Sequence, residues 1–238
     1  MVAAMESRSQ PPALTPTSII GALADLLAPP RCPACRGPGP LQPGTGICAP
    51  CRVAFGRTPP RTLRLPDGTA ALAPVPYAPP ATGLVAALKS GRVPGAAAAG
   101  AELIAETLGP LPEGVVLAPV GAARMRRLRR GLDPAAEIAG ALAGRLDREC
   151  HPGLLRRCGG RPQRGRTRSE RLASPPRFEL TAGAPRLVLL VDDVITTGAT
   201  LGSCAAALAA AGAAVAGAVA VAWAPAPGER LGGAVRVP

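Results

Sequence analysis

Apolar residues gather along this chain in two kinds of run. Short continuous runs, Val115 to Val120, Val188 to Val191 and Val215 to Trp223, read as buried strands of a parallel sheet. Between them lie Ala- and Leu-rich stretches of strong helix formers: Thr82 to Leu88, about Ala96 to Leu108, Asp133-Pro134 through Leu146, and Leu201 through Ala211. Pro134 stands at an early helical position and Gly212 just past a helix end, where each is favoured. A further strand is expected over Leu72 to Tyr77. Near the N-terminus, Thr17-Ser18 can cap a helix whose Ile19, Ile20, Leu23, Leu26 and Leu27 share a face, and Pro29-Pro30 ends it. Strands alternating with helices predict an α/β fold, a mostly parallel sheet flanked by helices.

The polar and Pro/Gly-rich stretches divide the chain. Residues 1–17 read as a disordered tail, 18–60 as a short helix with a cysteine module, 70–225 as the α/β domain and 226–238 as a second tail. The basic stretch 56–70 reads as a linker. In the cysteine module, Cys32-Pro-Ala-Cys35 and Cys48-Ala-Pro-Cys51 flank a loop of twelve residues. Two such pairs can place four thiolates tetrahedrally on one Zn²⁺. With sulfur at all four positions no site remains for water, so the expected zinc is structural. The stretch is too short for its own apolar core, and metal binding would supply the folding energy.

The most informative stretch is Val-Leu-Leu-Val-Asp-Asp-Val-Ile-Thr-Thr-Gly-Ala-Thr, Val188 to Thr200. Its order is strand, acidic pair, small-residue turn, helix. In open α/β sheets ligands bind at the carboxyl ends of the strands. A turn of Thr, Gly and Ala lets backbone N–H groups close on a phosphate, and the helix N-terminus adds its positive dipole end. Thr196, Thr197 and Thr200 offer hydroxyl donors beside Gly198 and Ala199. Carboxylates repel phosphate, so Asp192 and Asp193 should face sugar hydroxyls. The expected ligand is a 5-phosphorylated sugar. A Walker B strand would need a Gly-rich loop ending in Gly-Lys-Ser/Thr, but Lys89 is the only lysine and no such loop surrounds it.

Charge changes the picture in one respect. Net charge is +12, and arginine supplies all but one of the 27 basic residues. Five arginines fall between Arg124 and Arg130, in a turn between the Val115 strand and the Pro134 helix. Such a turn suits a pyrophosphate, with Arg124 and Arg130 the leading candidates. More arginines, among them Arg157, Arg161, Arg164, Arg168 and Arg171, mark 156–178 as a long loop with the composition of a lid. A basic chain can also bind nucleic acid. Single-strand binders stack bases on aromatic side chains, and this chain has four: Phe55, Tyr77, Phe178 and Trp223. No stretch is long and apolar enough to span a membrane. The first sixteen residues hold no hydrophobic signal core. The expected location is cytoplasmic, where an odd cysteine count argues against a disulfide framework.

Val188 to Thr200 resembles the phosphoribosyl-pyrophosphate (PRPP) signature of type I phosphoribosyltransferases. The chain as a whole is similar to the ComF/GntX-like, late-competence-related members of that family, which place a four-Cys zinc ribbon before the transferase domain. Tyr77 and Lys89 stand where the family has a tyrosine and, after a short helix, a lysine. Pro119-Val120 and Arg130-Gly131 match its Pro-Val-Pro and Arg-Gly elements, and Gln163, Arg171 and Phe178 fall at its spacing. The chain departs at Leu132, Asp133 and Pro134, where the family has an aromatic residue, Asn and Gln, and at Ser174, where it has Asn. The resemblance implies a phosphoribosyltransferase fold, PRPP with Mg²⁺ as ligand, Asp192 and Asp193 on the ribose hydroxyls, Thr196 to Thr200 on the 5-phosphate, and Lys89, Arg124 and Arg130 on the pyrophosphate. It leaves the acceptor and the oligomeric state open. The alternative is a non-catalytic module that uses the same fold to bind single-stranded DNA or a DNA-uptake protein.

Overall fold

A computed structural model describes residues 29–120, 133–158, 176–181, 183–226 and 228–229. The expected N-terminal tail and helix, the expected turn with Arg124 and Arg130, most of the expected arginine-rich loop and nearly all of the expected C-terminal tail fall outside the described residues.

The architecture is mixed α/β. A short helix, α1 (Ala49–Phe55), belongs to the cysteine module. Then come β1 (Arg61–Arg64), β2 (Ala70–Ala73), β3 (Val75–Pro76), α2 (Ala81–Ser90), α3 (Ala96–Ala105), β4 (Val115–Pro119) and α4 (Pro134–Leu146). The chain continues through β5 (Leu155–Cys158), β6 (Arg177–Leu180), β7 (Leu187–Ile195), α5 (Ala199–Ala210) and β8 (Ala214–Trp223). The main sheet runs β1-β2-β8-β7-β4, with β3 also on β8. Only β1 against β2 is antiparallel; β2, β3 and β7 each pair with β8 in parallel, as β4 does with β7. No helix among the described residues is long and apolar enough to cross a membrane.

The sheet splits the core in two. On one side Leu117, Leu189, Val191, Val219 and Val221 pack against α2, α3 and α4. On the other, Val188, Leu190, Ala218 and Ala220 pack under α5. β7 and β8 are therefore covered on both faces, which explains their near-continuous apolar runs. Small side chains let the layers approach closely. A Cβ on Gly100 of α3 would stand 2.9 Å from Val221 Cγ2, so this helix lies directly on β8.

Several expectations change. The stretch 56–70 is not a plain linker: β1 and β2 form an antiparallel pair, Arg61 opposite Ala73 and Arg64 opposite Ala70. The single strand expected over Leu72 to Tyr77 is two pieces, β2 and β3, laid against successive stretches of β8. The expected loop 156–178 begins and ends in an antiparallel ribbon, with Arg157 opposite Phe178. The strand expected to stop at Val191 runs on through both acids to Ile195. The cause lies next door. β8 extends to Trp223 and pairs with Asp192, Val194 and Ile195, and backbone groups beside a strand seek partners whatever the side chains are.

Candidate ligand site and metal centre

The end of β7 and the start of α5 form one unit. Ile195 closes the strand, Thr196 to Gly198 turn, and α5 begins at Ala199. Gly198 makes the turn with φ +70°, a conformation side-chain-bearing residues avoid. Its neighbour in space is Leu65, whose Cδ2 would stand 2.6 Å from a Cβ built there. Gly202, one turn on, faces Pro66 and Asp67 at 3.3 and 3.5 Å on the same measure. The β1–β2 turn therefore braces the loop from outside the motif.

No side chain hydrogen-bonds as an N-cap on α5. The Ala199 N–H donates weakly to Thr197 Oγ1 at 3.3 Å, and the Gly202 N–H reaches the Gly198 carbonyl at 2.8 Å. The first-turn N–H groups have no acceptor within the helix, and the helix dipole adds positive potential there. Thr196 is exposed, Thr197 and Thr200 half-buried, Gly198 and Ala199 buried. The five residues expected to cradle a phosphate thus run from the turn into the first two residues of α5.

The acids do different things. In-register neighbours share a face of a sheet. Asp192 pairs with Ala220, which faces α5, and Asp193 follows on the side of Val191, which faces α2 and α3. Asp193 Oδ2 accepts from Lys89 Nζ at 2.9 Å, and its side chain is 17% exposed. Lys89 sits in the last turn of α2, so two elements far apart in sequence meet at this carboxylate. Asp192 is half-buried and accepts the Asp193 N–H at 2.8 Å. Burial, then the neighbouring Asp193 charge, hold its carboxyl well above the ordinary carboxylate range, against the Asp193 N–H and Lys89. Beneath it on α5, Cys204 is buried, and burial followed by the Asp192 charge raises its thiol, with Arg157 acting in the opposite sense. Arg157 of the β5–β6 ribbon is thus close enough for its charge to act on the floor of the site.

Beside the same end of α2, a cavity of about 830 Å³ opens between α2, α3 and α4. Leu88, Gly91, Arg92, Ala96, Glu137 and Pro152 are among its walls; neither acid nor the Thr196–Thr200 turn lines it.

The second centre is the cysteine module. The Sγ atoms of Cys32, Cys35, Cys48 and Cys51 all lie within 4.8 Å of one another. Cys35 Sγ and Cys48 Sγ are 3.7 Å apart, close to the roughly 3.8 Å edge of a tetrahedron with metal–sulfur bonds of about 2.3 Å. Backbone N–H groups point at the sulfurs, Gly37 to Cys35 at 3.4 Å and Cys48 to Cys32 at 3.5 Å. Burial works to raise the Cys32 thiol, but the N–H groups of Cys48, Cys35 and Ala34 outweigh it and bring it down to about 7. For Cys51, burial and the Cys32 charge push the thiol up. A cluster of thiols so close that their ionisations oppose one another is what a bound cation would relieve. The four cysteines could hold a metal ion, and the donor set fits one.

The structure therefore brings Lys89 to Asp193 near the end of the strand that leads into the Thr196–Thr200 stretch, and separately brings together the four cysteines. Arg124 and Arg130 lie outside the described residues. Sequence reasoning missed the bracing turn Leu65–Asp67, which carried no motif. A scan against protein-family models matches none, and a search of curated proteins finds no match.

Proposed function

We propose that the chain is a phosphoribosyltransferase-like protein that binds PRPP, or a related 5-phosphorylated sugar, at the end of β7. The observation that carries this reading is a single juxtaposition. A largely buried carboxylate paired to Lys89 at 2.9 Å lies near the carboxyl end of a parallel strand that leads, three residues on, into the turn before an uncapped helix N-terminus. The turn suits the 5-phosphate through its N–H groups and the hydroxyls of Thr196, Thr197 and Thr200. Asp193 suits a ribose hydroxyl. Asp192, on the α5 side, would steady the strand end by accepting the Asp193 N–H.

In the proposed reaction the C1–oxygen bond breaks, pyrophosphate leaves with the bonding electrons, and a nucleophile closes on C1 from the opposite face. Positive charge develops on the ribose, and the Asp193 carboxylate would oppose it electrostatically. Lys89 would meet the leaving phosphates once ligand hydroxyls compete for Asp193. Mg²⁺ would arrive with the pyrophosphate and need few protein ligands, as is usual for this ion. The four-Cys centre would hold Zn²⁺, the ion that four tetrahedral thiolates favour, in a structural role.

A screen of metabolite pools for PRPP consumption, read by pyrophosphate release with Mg²⁺ present, tests the activity. Consumption abolished in Asp193→Ala is the expected result. A protein that neither binds PRPP nor consumes it with any acceptor pool would overturn the reading.

A further inference from the structure

Helix α2 touches both centres. At one end, Gly83 lies against the first cysteine knuckle: a Cβ built there would stand 1.8 Å from the Ala34 carbonyl oxygen and 3.0 Å from its carbon. No side chain fits in that gap. Ala34 is the residue between Pro33 and Cys35, and its turn is closed by the Arg36 N–H on the Cys32 carbonyl at 2.8 Å and the Cys32 N–H on the Gly37 carbonyl at 3.0 Å. Six residues further along the helix, about 9 Å at helical rise, Lys89 reaches Asp193 at 2.9 Å. The module is also fused to the domain elsewhere. Cys32, Ala34, Ile47, Cys51 and Phe55 share one core with Leu84, Ala87 and Leu88, and Arg52 pairs with Glu106 at 2.6 Å.

We propose that Gly83 is a positioning residue through which the metal-bound cysteine knuckle sets the place of Lys89 at Asp193. The contact is backbone to backbone, so it has none of the slack of a flexible side chain. A knuckle whose thiolates are held by a metal presents the Ala34 carbonyl at a fixed point, and α2 seats on it. A rigid helix passes that placement to its last turn. Loss of the metal, or a methyl in the gap, shifts or tilts α2 and lengthens the Lys89–Asp193 contact. The consequence for ligand affinity rests on the reading proposed above; the coupling between the two centres does not.

Lys89 is the only lysine, so its ammonium can be followed alone. The metal-loaded protein, without ligand, is treated with an amine-reactive reagent and the Lys89 peptide is followed by mass spectrometry. Asp193→Asn sets the scale for a broken pair, expected at roughly two- to fivefold faster labelling, the factor a partly exposed ion pair is worth. Gly83→Ala should speed labelling by at least half that factor. Gly100→Ala crowds α3 against Val221 Cγ2 at 2.9 Å, meets Leu88 of α2 only at an ordinary 3.8 Å and does not touch the knuckle; it should leave the rate at wild type. Hydrogen exchange of Ala81–Ser90 in wild type, with and without the metal, gives a second reading that needs no variant. Faster exchange there on metal removal supports the coupling. Wild-type labelling in a folded Gly83→Ala, or α2 amides equally protected with and without metal, overturns it. PRPP titration run in parallel separates this outcome from a failure of the sugar-phosphate reading.

Discussion

Replacing Gly198 by alanine should damage stability and ligand binding together, and the sizes can be worked out. Gly198 has φ +70°, where a side-chain-bearing residue costs about 1–2 kcal/mol. Its new methyl would meet Leu65 Cδ2 at 2.6 Å, inside any real contact distance. Leu65 is itself buried, so relief comes only by moving it or the turn, at about 1–3 kcal/mol. Alanine restricts the unfolded chain and returns about 0.4–1 kcal/mol. The net expectation is a loss of about 1–5 kcal/mol, centred near about 3, which for a chain of this size lowers Tm by roughly 6–12 °C at the centre of the range. Gly202→Ala is the internal control. It too faces the Leu65–Asp67 turn, at 3.3 Å from Pro66 Cδ, but it lies inside α5, where alanine gains about 1 kcal/mol of helix propensity. It should stay within about 1 kcal/mol of wild type. Thermal melts at fixed metal content, with PRPP titrated into each variant, provide the assay. A Gly198→Ala protein that melts with the wild type and keeps its ligand affinity, or one no worse than Gly202→Ala, would refute the argument that this turn is locked by backbone geometry.

Other outcomes follow from the same contacts. Asp192 carries a raised carboxyl, so the folded state holds its proton to higher pH than the unfolded chain, whose aspartates titrate near about 3.9. Its contribution is fully present below that pH and is lost as pH rises through the raised value; Asp192→Asn should flatten that decline in pH-dependent melts and exceed wild-type stability at neutral pH. Lys89→Ala should weaken PRPP binding by about tenfold, the scale of one charge-assisted hydrogen bond, in calorimetric titrations. Arg61 covers the Trp223 ring at 4.6 Å and pairs with Glu229 at 2.7 Å. Arg61→Ala should cost about 0.5–1 kcal/mol and red-shift the emission of the only tryptophan. Chelation, or Cys51→Ser, should release one metal ion per chain and lower Tm, since Cys32, Ala34 and Cys51 are part of the main core.

The sequence made the buried strands and most helices legible, because β7 and β8 are covered on both faces and need unbroken apolar runs. The cysteine cluster was legible because its spacing is written in two short motifs, and the strand-to-helix passage through the acid pair and the Thr-Thr-Gly turn because it lies in one continuous stretch. What stayed hidden depends on contacts between distant segments. β1 reads as a linker because an edge strand with Arg61 and Arg64 needs no apolar alternation, and its register comes only from β2. The division of labour between Asp192 and Asp193 follows from the extra length of β7, which β8 imposes. The pairing of Lys89 with Asp193 has no local signature. Gly83 was a readable hint, an isolated glycine inside an alanine-rich helix, but only the fold brings the Ala34 carbonyl against it.

The most direct measurement is a calorimetric titration of PRPP with Mg²⁺ into the metal-loaded protein and into Asp193→Asn. One site per chain in the wild type, weakened at least about tenfold in the variant by loss of a charged hydrogen-bond acceptor, is the expected result. No heat from the wild type, or equal affinity in the two proteins, would contradict the assignment of a ribose-phosphate grip to the end of β7.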